Sequence, residues 1–178
     1  DGTSILCNRV QGATNDSSLF AWTVPASGGQ ADTIAVDPYG VLYPQWQPDG
    51  QHIVYHRTRE VGPVSFYEFV VHDLQGSPAV VWQVPNFWHD AAFRLSPDGT
   101  QVIYTTLGGG RTLWSLDLAS GSSVAVRPGS GGALSPDGQW LAYAIDGTIA
   151  VAPFGGGAER RFEAGYQPCW TPDSRSLV

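Results

Sequence analysis

The four histidines, His52, His56, His72 and His89, are the first residues to weigh for chemistry. A neutral imidazole is a common metal ligand. His52 and His56 are an even number of positions apart, so on a strand they face the same side. A zinc-type site needs three or four converging ligands, and no third one converges on this pair by sequence. Packing or solvent exposure is the expected fate of both. The nearest approach to a serine nucleophile is Gly129-Ser130-Gly131-Gly132. A nucleophile elbow requires Gly-x-Ser-x-Gly between a strand and a helix, and this string lies between strands. Gly108-Gly109-Gly110 lacks the Lys of a phosphate-binding loop and opens no helix, so it reads as a hairpin turn. The repeated aspartates lack the alternating ligand spacing of a calcium loop. No catalytic residue, metal site or cofactor is therefore expected.

The aspartates mark the elements instead. Asp49-Gly50, Asp98-Gly99 and Asp137-Gly138 each follow a proline; Thr171-Pro172-Asp173-Ser174 is a degenerate fourth copy and Asp1-Gly2 a fifth. The aspartates are 48, 49, 39 and 36 residues apart, which brackets the ~40–45 residues of a four-stranded propeller blade. Four residues after each Asp stand Ile5, Ile53, Val102, Leu141 and Leu177; six after stand Cys7, Tyr55, Tyr104 and Tyr143. Three before stand Trp46, Leu95, Leu134 and Trp170. Trp46 and Trp170 thus read as packing between blades.

The motif chemistry is structural. Proline presets φ, aspartate accepts hydrogen bonds from nearby N–H groups, and glycine tolerates positive φ. Asp49, Gly50, Asp98, Gly99, Asp137, Gly138 and Asp173 are read as turn residues. Each turn joins an inner strand, such as 43–47, to a second, such as 52–57. A third follows, as in 112–118, and a fourth, as in 122–127. Alternating apolar residues suit sheets packed face to face, and no helix is expected. The fold class is all-β, a β-propeller of four-stranded antiparallel blades with about four present. The blades are 1–42 (lacking its inner strand), 43–90, 91–130 and 131–165, with the start of another at 166–178. The strand at 175–178 duplicates 4–7 in register and would be surplus to a closed four-bladed ring. Part of a ring of about six to eight blades is expected.

The strings Trp46-Gln47-Pro48-Asp49-Gly50-Gln51-His52-Ile53-Val54-Tyr55 and Leu134-Ser135-Pro136-Asp137-Gly138-Gln139-Trp140-Leu141-Ala142-Tyr143 resemble the TolB-type, Trp-Asp-like propeller repeat. The resemblance covers essentially the whole chain. That family includes a periplasmic component of the Tol–Pal system, propeller domains of prolyl oligopeptidase-like and tricorn-type peptidases, an oligogalacturonate lyase, and sensor domains of bacterial membrane kinases. A shared fold does not carry function among them. The resemblance implies a non-catalytic propeller that binds a protein or ligand in the periplasm or at the cell surface. The substrate-gating propeller of a larger peptidase is the alternative, and a membrane-kinase sensor a third reading.

Hydrophobic residues make up 42% and charged residues 14% of the chain, with 22 Gly and 13 Pro spread along it. That composition suits short strands joined by tight turns. The net charge is −7, and the nine basic residues are all arginines, scattered. A nucleic-acid binder needs a basic stripe to displace counterions, so nucleic acid is not an expected partner. No apolar run approaches the ~18 residues that span a bilayer. No Met is present, so a processed or partial piece is expected, from a source protein heavier than 19.0 kDa. Cys7 and Cys169 lie blades apart in an open fragment and are expected to be unbonded. Only a closed four-bladed ring would bring them near cross-strand distance.

Connections in an antiparallel blade alternate between its two ends. The Pro-Asp-Gly turns and turns such as 117–121 share one face. The other face collects 11–17, 37–41, 57–64 and 85–90, which vary in length and chemistry. Large aromatics and arginines on irregular loops are frequent binding hot spots. The candidate binding residues are Tyr39, Arg57, Arg59, Glu60, Phe87, Trp88, His89 and Asp90. The expected partner is a protein, or remaining blades of the same polypeptide.

Overall fold

A computed structural model gives the structure of residues 3–10, 19–76, 79–84, 93–107 and 109–178. Among these residues every regular element is a strand. The strands form four antiparallel sheets in two compact units, Asp1–Pro85 and Asn86–Val178.

The first unit begins with a three-stranded sheet of β1 (Ser4–Val10), β2 (Leu19–Pro25) and β3 (Asp32–Asp37). Its second sheet has four strands in chain order: β4 (Leu42–Trp46), β5 (His52–Val61), β6 (Val64–Asp73) and β7 (Val80–Val84). Ile53 and Tyr55 alternate on one side of β5, and with Val41 and Val70 they close over Ala21 and Ala35 of the first sheet. Val54 and His56 alternate on the other side and are also buried. Burial on both sides explains why β5 reads Ile-Val-Tyr without a polar interruption.

One element departs from expectation. The sequence predicts that the second strand stops near Arg57 and that 57–64 is an irregular loop. The structure continues β5 to Val61 and turns at Gly62-Pro63 into β6. Pairing runs without a break from His52↔Asp73 to Val61↔Val64. Gly62 has φ 60° at the first central position, the geometry that suits the twist of a two-residue hairpin. Val61, Val64, Phe66 and Tyr67 supply the branched and aromatic side chains that favour strand pairing. Among the described residues β4 pairs as far as Leu42↔His56 and β7 as far as Tyr67↔Val84, so no described strand flanks the end of this hairpin in its sheet.

The second unit contains β8 (Arg94–Leu95), β9 (Gln101–Leu107), β10 (Arg111–Asp117) and β11 (Ser123–Pro128), then β12 (Ser130–Leu134), β13 (Trp140–Ile145), β14 (Thr148–Pro153) and β15 (Arg160–Ala164). Each sheet again runs in chain order. Ile103 and Leu113 of the first sheet pack on Leu141, Tyr143, Ala150 and Ala152 of the second. Glycine in β12 permits that approach. A Cβ on Gly132 would lie 2.9 Å from Leu113 Cδ2 and 3.0 Å from Ile103 Cγ2. A short hairpin follows, in which Cys169 and Val178 exchange backbone hydrogen bonds and Trp170 bridges Leu177.

Four motif turns share one construction. The N–H of Gly50, Gly99, Gly138 and Ser174 donates to the carbonyl of Gln47, Ser96, Ser135 and Thr171 respectively. The motif aspartate accepts from the N–H two residues on: Gln51 to Asp49, Thr100 to Asp98, Gln139 to Asp137 and Arg175 to Asp173. In three turns a hydroxyl two residues before the aspartate also donates to it, from Ser96, Ser135 or Thr171. That hydroxyl is the largest cause holding the carboxyls of Asp98, Asp137 and Asp173 below their ordinary pKa. At Asp49 burial pushes the other way, but the N–H groups of Gln51 and His52 and the His52 ring outweigh it.

Candidate functional site

Arg57 and Glu68 are direct cross-strand partners on β5 and β6, so the continuous hairpin itself brings opposite charges together. Arg57 Nε donates to Glu68 Oε2 at 2.7 Å, and its Nη1 donates to Asp37 Oδ2 at 2.7 Å. Arg59, two residues on and on the same side, donates from Nε to Glu68 Oε1 at 3.0 Å. The hydroxyl of Tyr55 donates to Asp37 Oδ2 at 2.8 Å. Two arginines and two carboxylates thus form one neutral network that joins β3 of the first sheet to β5 and β6 of the second. The side chains of Asp37 and Glu68 are only 5% and 3% exposed, and Arg57 is 17% exposed.

The protonation states follow from that packing. Burial works against the charge on Glu68, but the Arg57 and Arg59 guanidiniums outweigh it and hold the carboxyl below its ordinary range. Burial likewise opposes the Arg57 charge, and Asp37 and Glu68 more than offset it. Burial, then Asp37, pushes the Tyr55 phenol upward. A network in which every charge has a partner is a brace, since leaving one unpaired in this environment is costly.

Around the brace lies exposed surface. Tyr39 sits in the turn after β3, its N–H bonded to Asp37 Oδ1 at 2.9 Å, and the residue is 47% exposed. The Arg57 guanidinium lies 5.3 Å from the centre of that ring, and the Arg59 guanidinium 4.8 Å from that of Phe66, both within cation–π range. Glu60 is exposed and paired with Ser65. Val61 and Val64 are exposed at the hairpin end. The structure therefore brings Tyr39, Arg57, Arg59 and Glu60 to one end of the second sheet, opposite its Pro-Asp-Gly turn. It places the arginines on strands and not on a loop. Phe87, Trp88, His89 and Asp90 lie outside the described residues.

Sequence reading missed Asp37 and Glu68. Once Gly62-Pro63 is taken as the turn, counting back pairs Arg57 with Glu68 and Arg59 with Phe66. It also missed the work of the repeated tyrosine. Tyr55 reaches a carboxylate on β3, the outer strand of the preceding sheet. Tyr143, fully buried, accepts from Arg127 of β11 at 3.1 Å, again on the preceding outer strand, and donates to Glu159. In each unit the tyrosine of the second sheet thus latches that sheet to the first.

The other candidates are placed plainly. His52 bonds Asp49 through Nδ1 at 2.6 Å, and His56 is buried between Tyr43 and Phe69. Among the described residues no group of three His, Cys, Asp or Glu side chains is placed to hold a metal. Ser130 lies on β12, paired with Ala144. Cys7 and Cys169 are free.

Antiparallel four-stranded sheets carrying the same turn, with the second sheet of each unit latched to the first by a tyrosine, define a β-propeller of the TolB-like kind. Among solved structures the chain is similar to TolB from Acinetobacter baumannii, with TM-score 0.77 and 18% identity over 99% of this chain and 45% of that one. It is similar to a putative TolB from Agrobacterium tumefaciens (TM-score 0.67, 16% identity, 94% and 67% coverage). It is also similar to the tricorn protease (TM-score 0.65, 16% identity, 99% and 18% coverage). The chain therefore spans less than half the length of the Acinetobacter protein. At these identities the likeness is one of fold. No family model matches the chain, and no curated protein matches it in sequence.

Proposed function

We propose that this propeller is a non-catalytic binding module that engages a protein or ligand through the end carrying Tyr39 and the β5–β6 hairpin. The observation that carries the reading is the projecting hairpin, exposed and apolar at Val61 and Val64, and stiffened at its base by buried ion pairs. A rigid projection with apolar and aromatic surface loses little conformational freedom on binding. Tyr39 and Glu60 face the partner in this reading, and Arg57 and Arg59 hold the geometry. Resemblance to TolB-type propellers supports a periplasmic or cell-surface location. The likeness to the tricorn protease over 99% of this chain keeps a second reading, the gating propeller of a larger peptidase. A downstream Gly-x-Ser-x-Gly followed by Asp and His in the full reading frame would favour it.

The test compares partner capture by folded variants. Tyr39→Ala and the pair Val61→Ser, Val64→Ser are expected to lose a captured species that Asp117→Ala and Ser120→Ala retain. A species lost only with the second pair would overturn the assignment of the binding end.

A further inference from the structure

The β5–β6 hairpin differs from its counterpart, β13–β14, in how far it outruns the inner strand. The pair farthest from the motif turn is Leu42↔His56 in one sheet and Ser130↔Ala144 in the other. Both pairs lie seven residues to either side of the motif aspartate. Strand β13 ends one residue later, at Ile145. Strand β5 runs on through 57–61 in unbroken register with β6. The repeat does not require that extra length.

The backbone of this stretch offers donors and acceptors along one edge. Val61 and Val64 close a two-residue hairpin, so they exchange hydrogen bonds with each other. In an antiparallel pair such residues alternate with ones whose N–H and C=O point away from the partner. Arg59 and Arg57 thus turn their peptide groups toward β6. Thr58 and Glu60 turn theirs to the opposite side, the side on which the His52 carbonyl accepts from Gln47 N–H at 2.9 Å. Among the described residues no strand pairs with Thr58 or Glu60 on that side. Open edges are commonly blunted by a proline or a bulge. Residues 57–61 contain no proline and pair with β6 without a register shift.

We infer that this edge receives a basic, extended segment of a protein partner as an added strand alongside Thr58–Val61. Main-chain hydrogen bonds to Thr58 and Glu60 hold the segment, and its alternating side chains set the register. On one face a lysine or arginine stands opposite Glu60, which is exposed and in no ion pair among the described residues. On the other face an apolar residue stands opposite Val61, beside the Phe66 ring that Arg59 covers. The net charge of −7 attracts a basic segment and repels a second copy. Edge pairing of two copies about Arg59 would also set their Glu60 side chains diagonally on one face, where like charges destabilise the pair. The inference rests on the reading of this end as the binding end, and names the kind of partner it takes.

The test is amide hydrogen exchange by NMR on the whole chain, with a short peptide of alternating lysine and valine as the probe. In the chain alone the Thr58 and Glu60 amides are expected to exchange many-fold faster than those of Arg57 and Arg59, which β6 protects. Slow exchange at Thr58 and Glu60 without the probe means that the chain or a second copy already covers the edge, and overturns the proposal. The probe is expected to slow Thr58 and Glu60 several-fold and to leave Arg57 and Arg59 unchanged. A lysine–proline peptide, equally charged but unable to form a strand, and a glutamate–valine peptide are expected to have no effect. No slowing by the probe, or equal slowing by either control, overturns the proposal. Thr58→Pro removes only an outward N–H, and Glu60→Lys reverses the exposed charge; each is expected to weaken protection by the probe several-fold. Full protection in both variants overturns the proposal. A captured species lost with Tyr39→Ala yet kept with Thr58→Pro overturns strand addition and leaves the binding end standing. One kept with Tyr39→Ala yet lost with Thr58→Pro supports strand addition and overturns the role of Tyr39.

Discussion

Replacing Glu68 by Gln keeps the side-chain shape and removes the charge that Arg57 and Arg59 share. Arg57 retains Asp37 at 2.7 Å, while Arg59 loses its carboxylate. Breaking a buried ion pair by removing one partner costs about 3–5 kcal/mol. Arg59 is 28% exposed and can turn toward water, and the Gln oxygen still accepts a hydrogen bond, so the lower end, about 3 kcal/mol, applies. For a unit the size of Asp1–Pro85, 1 kcal/mol moves Tm by about 4–8 °C, so Glu68→Gln is expected to lower the transition of the first unit by about 12–24 °C. Calorimetry resolves that transition even if the two units melt separately. Glu60→Gln, on the same hairpin but exposed, is the control, with an expected change within about 0.5 kcal/mol. The sign with pH is fixed. Glu68 is held below its ordinary pKa, so its contribution is complete above about pH 4.3 and disappears as pH falls through the folded value. The gap between parent and Glu68→Gln should therefore close on acidification. Equal Tm losses for Glu68→Gln and Glu60→Gln, or a gap that widens in acid, would refute the reasoning.

Gly132→Val places branched methyls against Leu113 and Ile103, where even a Cβ is tight at 2.9 Å; overpacking of this kind costs about 1–3 kcal/mol, read as a lower urea midpoint with an unchanged slope. Thiol titration in denaturant without reductant should return two free thiols per chain, from Cys7 and Cys169; none would mean the two are bridged.

Much of the fold was legible because the repeat is also the core pattern. Ile53, Val102 and Leu141, four residues after each motif aspartate, are all fully buried, and Tyr55, Tyr104 and Tyr143, six after, nearly so. A position that recurs apolar in the copies recurs because in each unit the second sheet buries it against the first. The hairpin end was less legible. Arg57-Thr58-Arg59-Glu60 carries no hydrophobic alternation, because its partners are charges and ring faces and not a core. Glu68 looks like an ordinary outward residue of β6 until the strand register sets it opposite Arg57. The tyrosine hydroxyls were legible as side chains but not as latches, since the partner on the preceding sheet differs each time: Asp37 in one, Arg127 in the other, where Glu159 of the same blade also joins.

The aspartate turns have a consequence for proton stoichiometry. Asp49, Asp98, Asp137 and Asp173, together with Asp117 in the turn after β10, all have depressed carboxyl pKa values. The slope of stability against pH is set by how many more protons the unfolded chain binds. Here the same local chemistry is copied turn by turn, so unfolding in acid takes up protons at several turns. No single turn is decisive. Proton uptake on acid unfolding is thus a property of the repeat and not of any one blade.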